Sequence, residues 1–355
     1  MPLPKHRALA SRACEFLECS TTEGNLMRCT GCMVVYYCST AHQTLDRNRH
    51  KKGCNTIKKA RKTLDKEEQE LRNNPGDIFM PANIFENGVG HFWGILETRT
   101  YMRARYNMVD CLLQTFGAPG GHKEAVRQGL DNPLDMLRLS RSDNMGVRDI
   151  VPHLYLRLDR DQEVYDFLKW YATTGTESNY DWGDMDNPYL DVKDADVLEE
   201  PLDAWSNGRF LSLSHVAAVI LIKVRVLLDL QAAQSTFRAL KGTMPPEIID
   251  LIRGQLIGSV VQSRPEIFKM TTEEISSLIQ TIKDQIIVLY QSANIYNAHF
   301  WRLMLNNAIA ASQQRPGMYS PETKEEACLT IGYCLASWVE TPGAFELMKD
   351  LSDKV

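Results

Sequence analysis

The sequence lacks a hydrophobic run long enough to cross a membrane. Its longest apolar stretch, Val216 to Ile222, is bounded by His215 and Lys223. This is far shorter than the roughly 20 residues that a membrane-spanning helix needs. The first residues are basic but contain no apolar core of the kind found in secretory signals. We therefore expect an intracellular protein, cytoplasmic or nuclear, that has no membrane partner.

The common catalytic motifs are absent as well. The sequence contains no Gly-x-x-x-x-Gly-Lys phosphate loop, no His-Glu-x-x-His metalloprotease helix and no Gly-x-Ser-x-Gly nucleophile turn. The glycine-containing stretch at 88–94 does not fit a dinucleotide-binding fingerprint. We therefore expect that the protein is not an enzyme.

The chain as a whole has no strong excess of either charge, because its formal net charge is −5 over 355 residues. The charges are nevertheless unevenly distributed. Residues 1–66 contain 13 Lys and Arg against 5 Asp and Glu, whereas residues 177–203 contain ten carboxylates and a single lysine. The two regions either attract each other or form separate solvated charge runs.

Cysteine is scarce, yet six of the nine cysteines lie between residues 14 and 54. With two histidines, they form four pairs: Cys14-x-x-x-x-Cys19, Cys29-x-x-Cys32, Cys38-x-x-x-His42 and His50-x-x-x-Cys54. A Cys-x-x-Cys turn lets two thiolates converge on one ion, and donors at i and i+4 share one face of a helix. In a reducing compartment such pairs are more often metal ligands than disulfides.

Eight donors are the number that two structural zinc sites require. Structural zinc takes four nitrogen or sulfur ligands in tetrahedral geometry, so no position is left open for catalysis. A redox Cys-x-x-Cys motif is the alternative, but it would leave the other three pairs without a role. Spacing alone leaves open whether the four pairs combine sequentially or in an interleaved order.

The segments "RCTGC", "VYYCS" and "AHQTLDRNRHKKGC" resemble the MYND-type zinc finger. This resemblance covers residues 14–54, and it departs from the family pattern at His42, which stands where the family usually has its sixth cysteine. Imidazole nitrogen is a good zinc donor, so the site should survive the exchange. The resemblance implies two zinc ions in interleaved sites, one held by Cys14, Cys19, Cys38 and His42, and the other by Cys29, Cys32, His50 and Cys54.

The resemblance also implies a protein or peptide partner, because MYND fingers typically bind short proline-containing peptides. In the family a glutamine and a tryptophan on the helix after the sixth ligand line the peptide groove. Here Gln43 matches the glutamine, whereas Arg47 replaces the tryptophan. A guanidinium favours carboxylates over proline rings. We therefore expect acidic peptides, or the protein's own loop at 177–203, to compete well against neutral ones.

Three domains are predicted along the chain: the finger at 14–54, a charged linker helix at 55–76 and an α-helical domain at 77–355 with an acidic loop at 174–207. The linker ends at Asn74-Pro75-Gly76, which is typical of a helix end followed by a turn. Because the metal supplies the stability of so small a finger, we expect the finger to unfold without affecting the helices.

The fold class expected from these patterns is mainly α: a small cross-braced two-zinc finger followed by an α-helical bundle or a tetratricopeptide-like array. The stretch Val216–Leu230 is nearly apolar all round, which predicts a helix in the centre of a bundle. Thr271 and Glu274 form a capping box. The predicted helices are Met102–Gln114, one through Leu139, 147–157, 160–172, Phe210–Leu240, one beginning at Pro245-Pro246, one after Thr271, 295–312 and Pro321–Glu340.

The function that fits these expectations is a zinc-binding protein-interaction module on a helical scaffold, as in an adaptor or regulatory protein. One alternative is a relative of the SET-type lysine methyltransferases, some of which contain a MYND finger. However, 13 residues before Cys14 are too few for that family's cofactor-binding segment, and no Asn-His-x-Cys stretch follows. Another is a nucleic-acid-associated regulator using the basic N-terminal face, although no aromatic residues are interleaved there.

Overall fold

The computed structural model describes residues 8–207, 211–239 and 246–353. Within these residues the chain is mainly helical, and its one sheet pairs two short antiparallel strands, β1 (Met27–Arg28) and β2 (Tyr36–Tyr37). The predicted fold class is therefore confirmed. The predicted helix ends at Phe210, Leu240 and Pro245 lie outside the described residues.

The described residues form two compact units. The first, called here the finger unit, contains Ala8–Leu154 and Asp181–Asn187. The second, the helical unit, contains Tyr155–Tyr180 and the described part of Pro188–Val355. The finger shares its unit with several helices, and the acidic loop at 174–207 is divided between the two units, whereas the domain bounds at 14–54, 55–76 and 77–355 remain a prediction.

In the finger unit, the two strands and one short helix precede a long helix that carries His50 and Cys54, and further helices follow. Its helices are α1 (Thr40–Leu45), α2 (Arg47–Asn73), α3 (Ile84–Asn87), α4 (Arg99–Thr115) and α5 (Lys123–Leu139), and α6 (Val151–Arg157) spans the boundary between the units. The predicted linker helix is thus the second part of α2, which begins inside the finger and continues without a break to Asn73.

One hydrophobic cluster joins the finger to α2, α4 and α5. From the finger it contains buried residues such as Cys32 and Val35, and from the helices it contains Ile57, Met108 and Leu112, all at most 1% exposed. Because one set of side chains fills a single core, the finger has no separate core of its own. The expectation that the finger unfolds independently of the helices is at odds with this packing.

Polar contacts reinforce the same junction. Arg28 on β1 forms an ion pair with Glu124 on α5. The Gln128 side chain on α5 donates to the Met33 carbonyl at 2.6 Å. The N-terminal segment adds backbone bonds, with Ala10 N–H donating to the Gly121 carbonyl at 2.8 Å. These contacts fix the finger against the start of α5.

The helical unit is a bundle around one central helix. Its helices are α7 (Asp161–Ala172), α8 (Asp203–Ser206), α9 (Leu213–Ala239), α10 (Pro246–Arg253), α11 (Ser259–Gln262), α12 (Thr272–Tyr296), α13 (Phe300–Ser312), α14 (Lys324–Val339) and α15 (Ala344–Ser352). Helix α9 packs against α7, α11, α12, α14 and α15. Its apolar stretch from Val216 to Leu227 is buried, as the all-round hydrophobic pattern predicted.

Two predicted helix bounds need correction. The helix predicted at 295–312 is interrupted, because α12 ends at Tyr296 and α13 begins at Phe300. The helix predicted to begin at Pro321 begins at Lys324 instead, with Thr323 as its N-cap. By contrast, the capping box of Thr271 and Glu274 is present as predicted.

The acidic loop is held by cations within the helical unit. Glu199 accepts from Lys169 Nζ at 2.8 Å, and Asp196 accepts from Arg264 at 2.8 Å. Lys223, which is fully buried, donates to the Val197 and Glu199 carbonyls at 2.7 Å each. This part of the loop is therefore an ordered, packed segment rather than a solvated charge run.

Among the helices of the described residues, none combines the length and the apolar character that a bilayer-spanning segment needs.

Candidate metal centres and the adjoining groove

The structure brings the eight predicted donors together in two groups of four. Site one contains Cys14, Cys19, Cys38 and His42, and site two contains Cys29, Cys32, His50 and Cys54. Within each group all ligand atoms lie within 4.8 Å of one another. This is the interleaved arrangement that the MYND resemblance implied, in which each site draws on two separated segments of the chain.

Distances between donor atoms test whether a zinc ion fits. Bond lengths of about 2.3 Å to sulfur and 2.0 to 2.1 Å to nitrogen place tetrahedral sulfur atoms about 3.8 Å apart, and sulfur and nitrogen about 3.5 Å apart. In site one, Cys19 Sγ lies 3.8 Å from Cys38 Sγ, and His42 Nδ1 lies 3.1 Å from Cys38 Sγ and 3.6 Å from Cys14 Sγ.

Site two has matching dimensions. Cys29 Sγ lies 3.7 Å from Cys54 Sγ and 3.3 Å from His50 Nε2, and Cys32 Sγ lies 3.8 Å from His50 Nε2. Both sets of donors therefore fit a zinc ion, and the protein takes two zinc ions as its cofactors. The two sites use different imidazole nitrogens, Nδ1 of His42 and Nε2 of His50.

Local backbone structure positions these donors. Ser39 caps α1 by accepting from the His42 N–H at 3.2 Å, which holds His42 in the first turn of α1 close to Cys38, the residue directly before the cap. In site two, Met33 N–H donates to the Cys29 carbonyl at 2.9 Å and closes the turn that carries Cys32. A Cβ atom at Gly31 would lie 2.6 Å from Cys54 Sγ, so this turn has room only for glycine.

The thiols differ in their acidity when no metal neutralises them. Hydrogen bonds from the side chain and backbone of Thr21 lower the pKa of Cys19 to about 6. Burial raises the pKa of Cys32 to about 12. Because zinc binds the thiolate, Cys32 must release a proton on metal binding, and the affinity of site two for zinc should therefore fall as the pH is lowered.

A polar network between the two sites was not predicted from the sequence. The buried Asp46 accepts from Tyr37 Oη at 2.7 Å and from Arg49 Nε at 2.7 Å. Arg49 also donates to Glu15 at 2.9 Å, and Glu15 lies 3.4 Å from His122. Burial acts to raise the pKa of Glu15, but His122 and Arg49 hold it below its ordinary value. This network orients the segment between α1 and α2.

A groove of about 250 Å³ lies beside site two. Both residues predicted to line a peptide groove, Gln43 and Arg47, are in its wall. The remaining lining residues are Cys29, Thr44, His50, Lys51, Cys54 and Asn55. Lys51 and Asn55 were not among the predicted residues, although their spacing of four and eight residues from Arg47 would have indicated them once α2 was known to begin at Arg47.

Each match to a known family or protein covers a small part of the chain. The family profile described as MYND finger matches residues 14–54. The Rho GTPase-activating protein gacZ of Dictyostelium discoideum is 38% identical over 66 residues, which are 18% of this chain and 6% of that protein. The chain thus covers only a small part of that protein's length. No solved structure matches this chain. Residues 14–54 are a MYND-type zinc finger.

Proposed function

We propose that the finger binds a protein partner through the groove beside site two, and that the chain is an adaptor or regulatory protein without enzymatic activity. MYND fingers mediate protein interactions, and the observation that carries the proposal is that Gln43 and Arg47 line one groove. Arg47 is exposed, so its guanidinium is available to a ligand. Binding of S-adenosylmethionine by the full chain would favour the methyltransferase alternative instead.

The chemistry of the groove favours an acidic peptide. Arg47 and Lys51 contribute two cations to its wall, and the wall contains no Phe, Tyr or Trp. A tryptophan at position 47 would offer a flat apolar surface to a proline ring, whereas arginine offers directed N–H donors to a carboxylate. The exchange should therefore change the preferred peptide rather than abolish binding.

We expect Arg47→Trp to invert the peptide preference of the full chain. Wild-type protein should bind an acidic peptide at least about fivefold more tightly than a neutral proline-containing peptide at low salt, and high salt should reduce this difference. The Arg47→Trp variant should lose the salt-dependent part of its affinity for the acidic peptide, and it should bind the neutral peptide more tightly than wild-type protein does. Fluorescence anisotropy with both labelled peptides measures this.

Lys59→Gln is the matched control, since it removes an exposed cation from the same helix outside the groove. It should leave both affinities within about twofold of wild type. Point variants are preferable to deleting the first 60 residues, because that deletion would open the core shared with α4. Tighter binding of the neutral peptide by wild-type protein, without salt dependence, would contradict the proposal.

A further inference from the structure

The cations that line the groove continue along α2 as a row. Arg47, Lys51, Lys58 and Lys62 are all exposed, and at 3.6 residues per turn they lie within an arc of about 60° on the helix surface. We call these four residues the basic stripe. Asp65 lies on the same face one turn beyond Lys62, so the stripe ends there.

The cations of the stripe are available to a partner. The ion pairs recorded along α2 involve other residues, with Arg49 bound to Asp46, Lys66 to Glu70 and Arg72 to Glu68. None of the four stripe residues forms an ion pair with another residue in the described part of the chain. The opposite face of α2 is buried through Ile57, Ala60 and Leu71, so the stripe is fixed on a helix that is anchored in the core.

The stripe has a regular geometry along the helix axis. At a rise of 1.5 Å per residue, successive cations are separated by about 6, 10 and 6 Å. An extended chain advances about 3.3 Å per residue and turns alternate side chains to opposite faces, so side chains on one face recur about every 6.6 Å. Carboxylates two residues apart therefore match the intervals of about 6 Å, and a spacing of four residues, about 13 Å, spans the interval of about 10 Å within the reach of the flexible lysine side chains. A segment rich in like charges is unfolded before it binds, which favours the extended form over a helical one.

We infer that the basic stripe binds an extended acidic segment of a partner protein, with carboxylates at its positions 1, 3, 7 and 9, which share one face of the segment. This inference rests on the proposed function and extends the peptide site from the groove to Lys62. A nucleic acid strand is the less favourable occupant, because single strands bind on aromatic stacking platforms and the groove wall has no Phe, Tyr or Trp.

The test measures the affinity of full-length, zinc-loaded protein for a nonapeptide with Asp or Glu at positions 1, 3, 7 and 9. A second nonapeptide of the same composition carries its four carboxylates at positions 1 to 4. The stripe variant is Lys58→Gln with Lys62→Gln. The matched control is Lys52→Gln with Lys59→Gln, which removes the same charge from exposed positions about 120° to 140° from Arg47. Zinc content and circular dichroism verify that both variants are folded.

We expect the stripe variant to bind the spaced peptide about fivefold more weakly and the control variant to change by less than about twofold. The spaced peptide should bind more tightly than the blocked one. Any of three results would overturn the inference. These are equal losses of affinity in the stripe and control variants, equal affinity of wild-type protein for both peptides, and tighter binding of an eight-residue oligothymidine than of the spaced peptide. If Arg47→Trp weakens binding but the stripe variant does not, the inference fails and the proposed function stands. If neither variant changes the affinity, both fail.

Discussion

Replacing Cys29 by serine is expected to release zinc from site two and to open helices α4 and α5 together with the finger. Structural zinc contributes about 10 to 16 kcal/mol in small finger peptides, as much as the whole stability of a typical domain. Cys29 and Cys32 are buried in the cluster that also contains Met108 and Leu112. When the turn that carries these cysteines unfolds, the apolar side chains of α4 that pack against it become exposed to solvent.

Hydrogen–deuterium exchange with mass spectrometry measures this effect. In the Cys29→Ser variant, amides around Met108–Leu112 should lose protection, whereas those of α9 in the helical unit should keep it. Cys111→Ser is the matched control, since this partly buried cysteine on α4 is not in either metal site. The Cys111→Ser variant should retain zinc, and the amides of α4 should keep their protection from exchange. Unchanged protection of α4 in the zinc-depleted Cys29→Ser variant would show that the finger folds independently, as the sequence alone suggested.

Asp161→Asn is expected to destabilise the helical unit by about 3 kcal/mol, because it removes the carboxylate that is hydrogen-bonded to a buried cation. Arg225 is 2% exposed and Asp161 fully buried, and the two are joined at 2.7 Å. Asp161 also accepts from the Ser259 N–H at 2.9 Å, so the pair ties α7 and α9 to the start of α11. Removing one partner of a buried ion pair typically costs about 3 to 5 kcal/mol. The low end of this range applies here because a second carboxylate, Asp229, interacts with the same guanidinium, and burial raises the pKa of Asp229 to about 6.

Asp159→Asn provides the control for this prediction. Asp159 is 4.0 Å from the same guanidinium, but its side chain is 66% exposed, so its contribution should be below about 1 kcal/mol. Its φ of 59° lies in the left-handed region, which asparagine tolerates. Urea denaturation of the full chain compares the variants. Similar unfolding midpoints for Asp161→Asn and Asp159→Asn would show that burial does not decide the strength of this ion pair.

The metal-binding part of the molecule was largely predictable because zinc ligands follow local rules. Donor type and spacing indicated two sites, and the family resemblance indicated how the pairs interleave. The capping box of Thr271 and Glu274 was predictable for the same reason. The start of α14 follows the same rule, since Thr323 accepts from the Glu326 N–H, whereas the predicted start is Pro321.

Features that depend on contacts distant in the sequence could not be predicted. The break between α12 and α13 contains Asn297, which is buried and donates its side-chain amide to Thr323 and Glu326, 26 and 29 residues away. The shared core of finger and helices depends on buried residues as distant in the sequence as Cys32 and Leu112 joining one cluster, and no local sequence pattern predicts this. For the same reason, the sequence predicts the second part of α2 as a separate linker helix, although α2 is continuous from Arg47 to Asn73.

The most direct test of the account is the number of zinc ions bound by the full chain, because the finger, its groove and the core beneath it all depend on the two sites. Native mass spectrometry of protein purified without chelator should show two zinc ions per chain, and the Cys29→Ser variant should show fewer. A natively folded chain that carries one zinc ion or none would contradict the account.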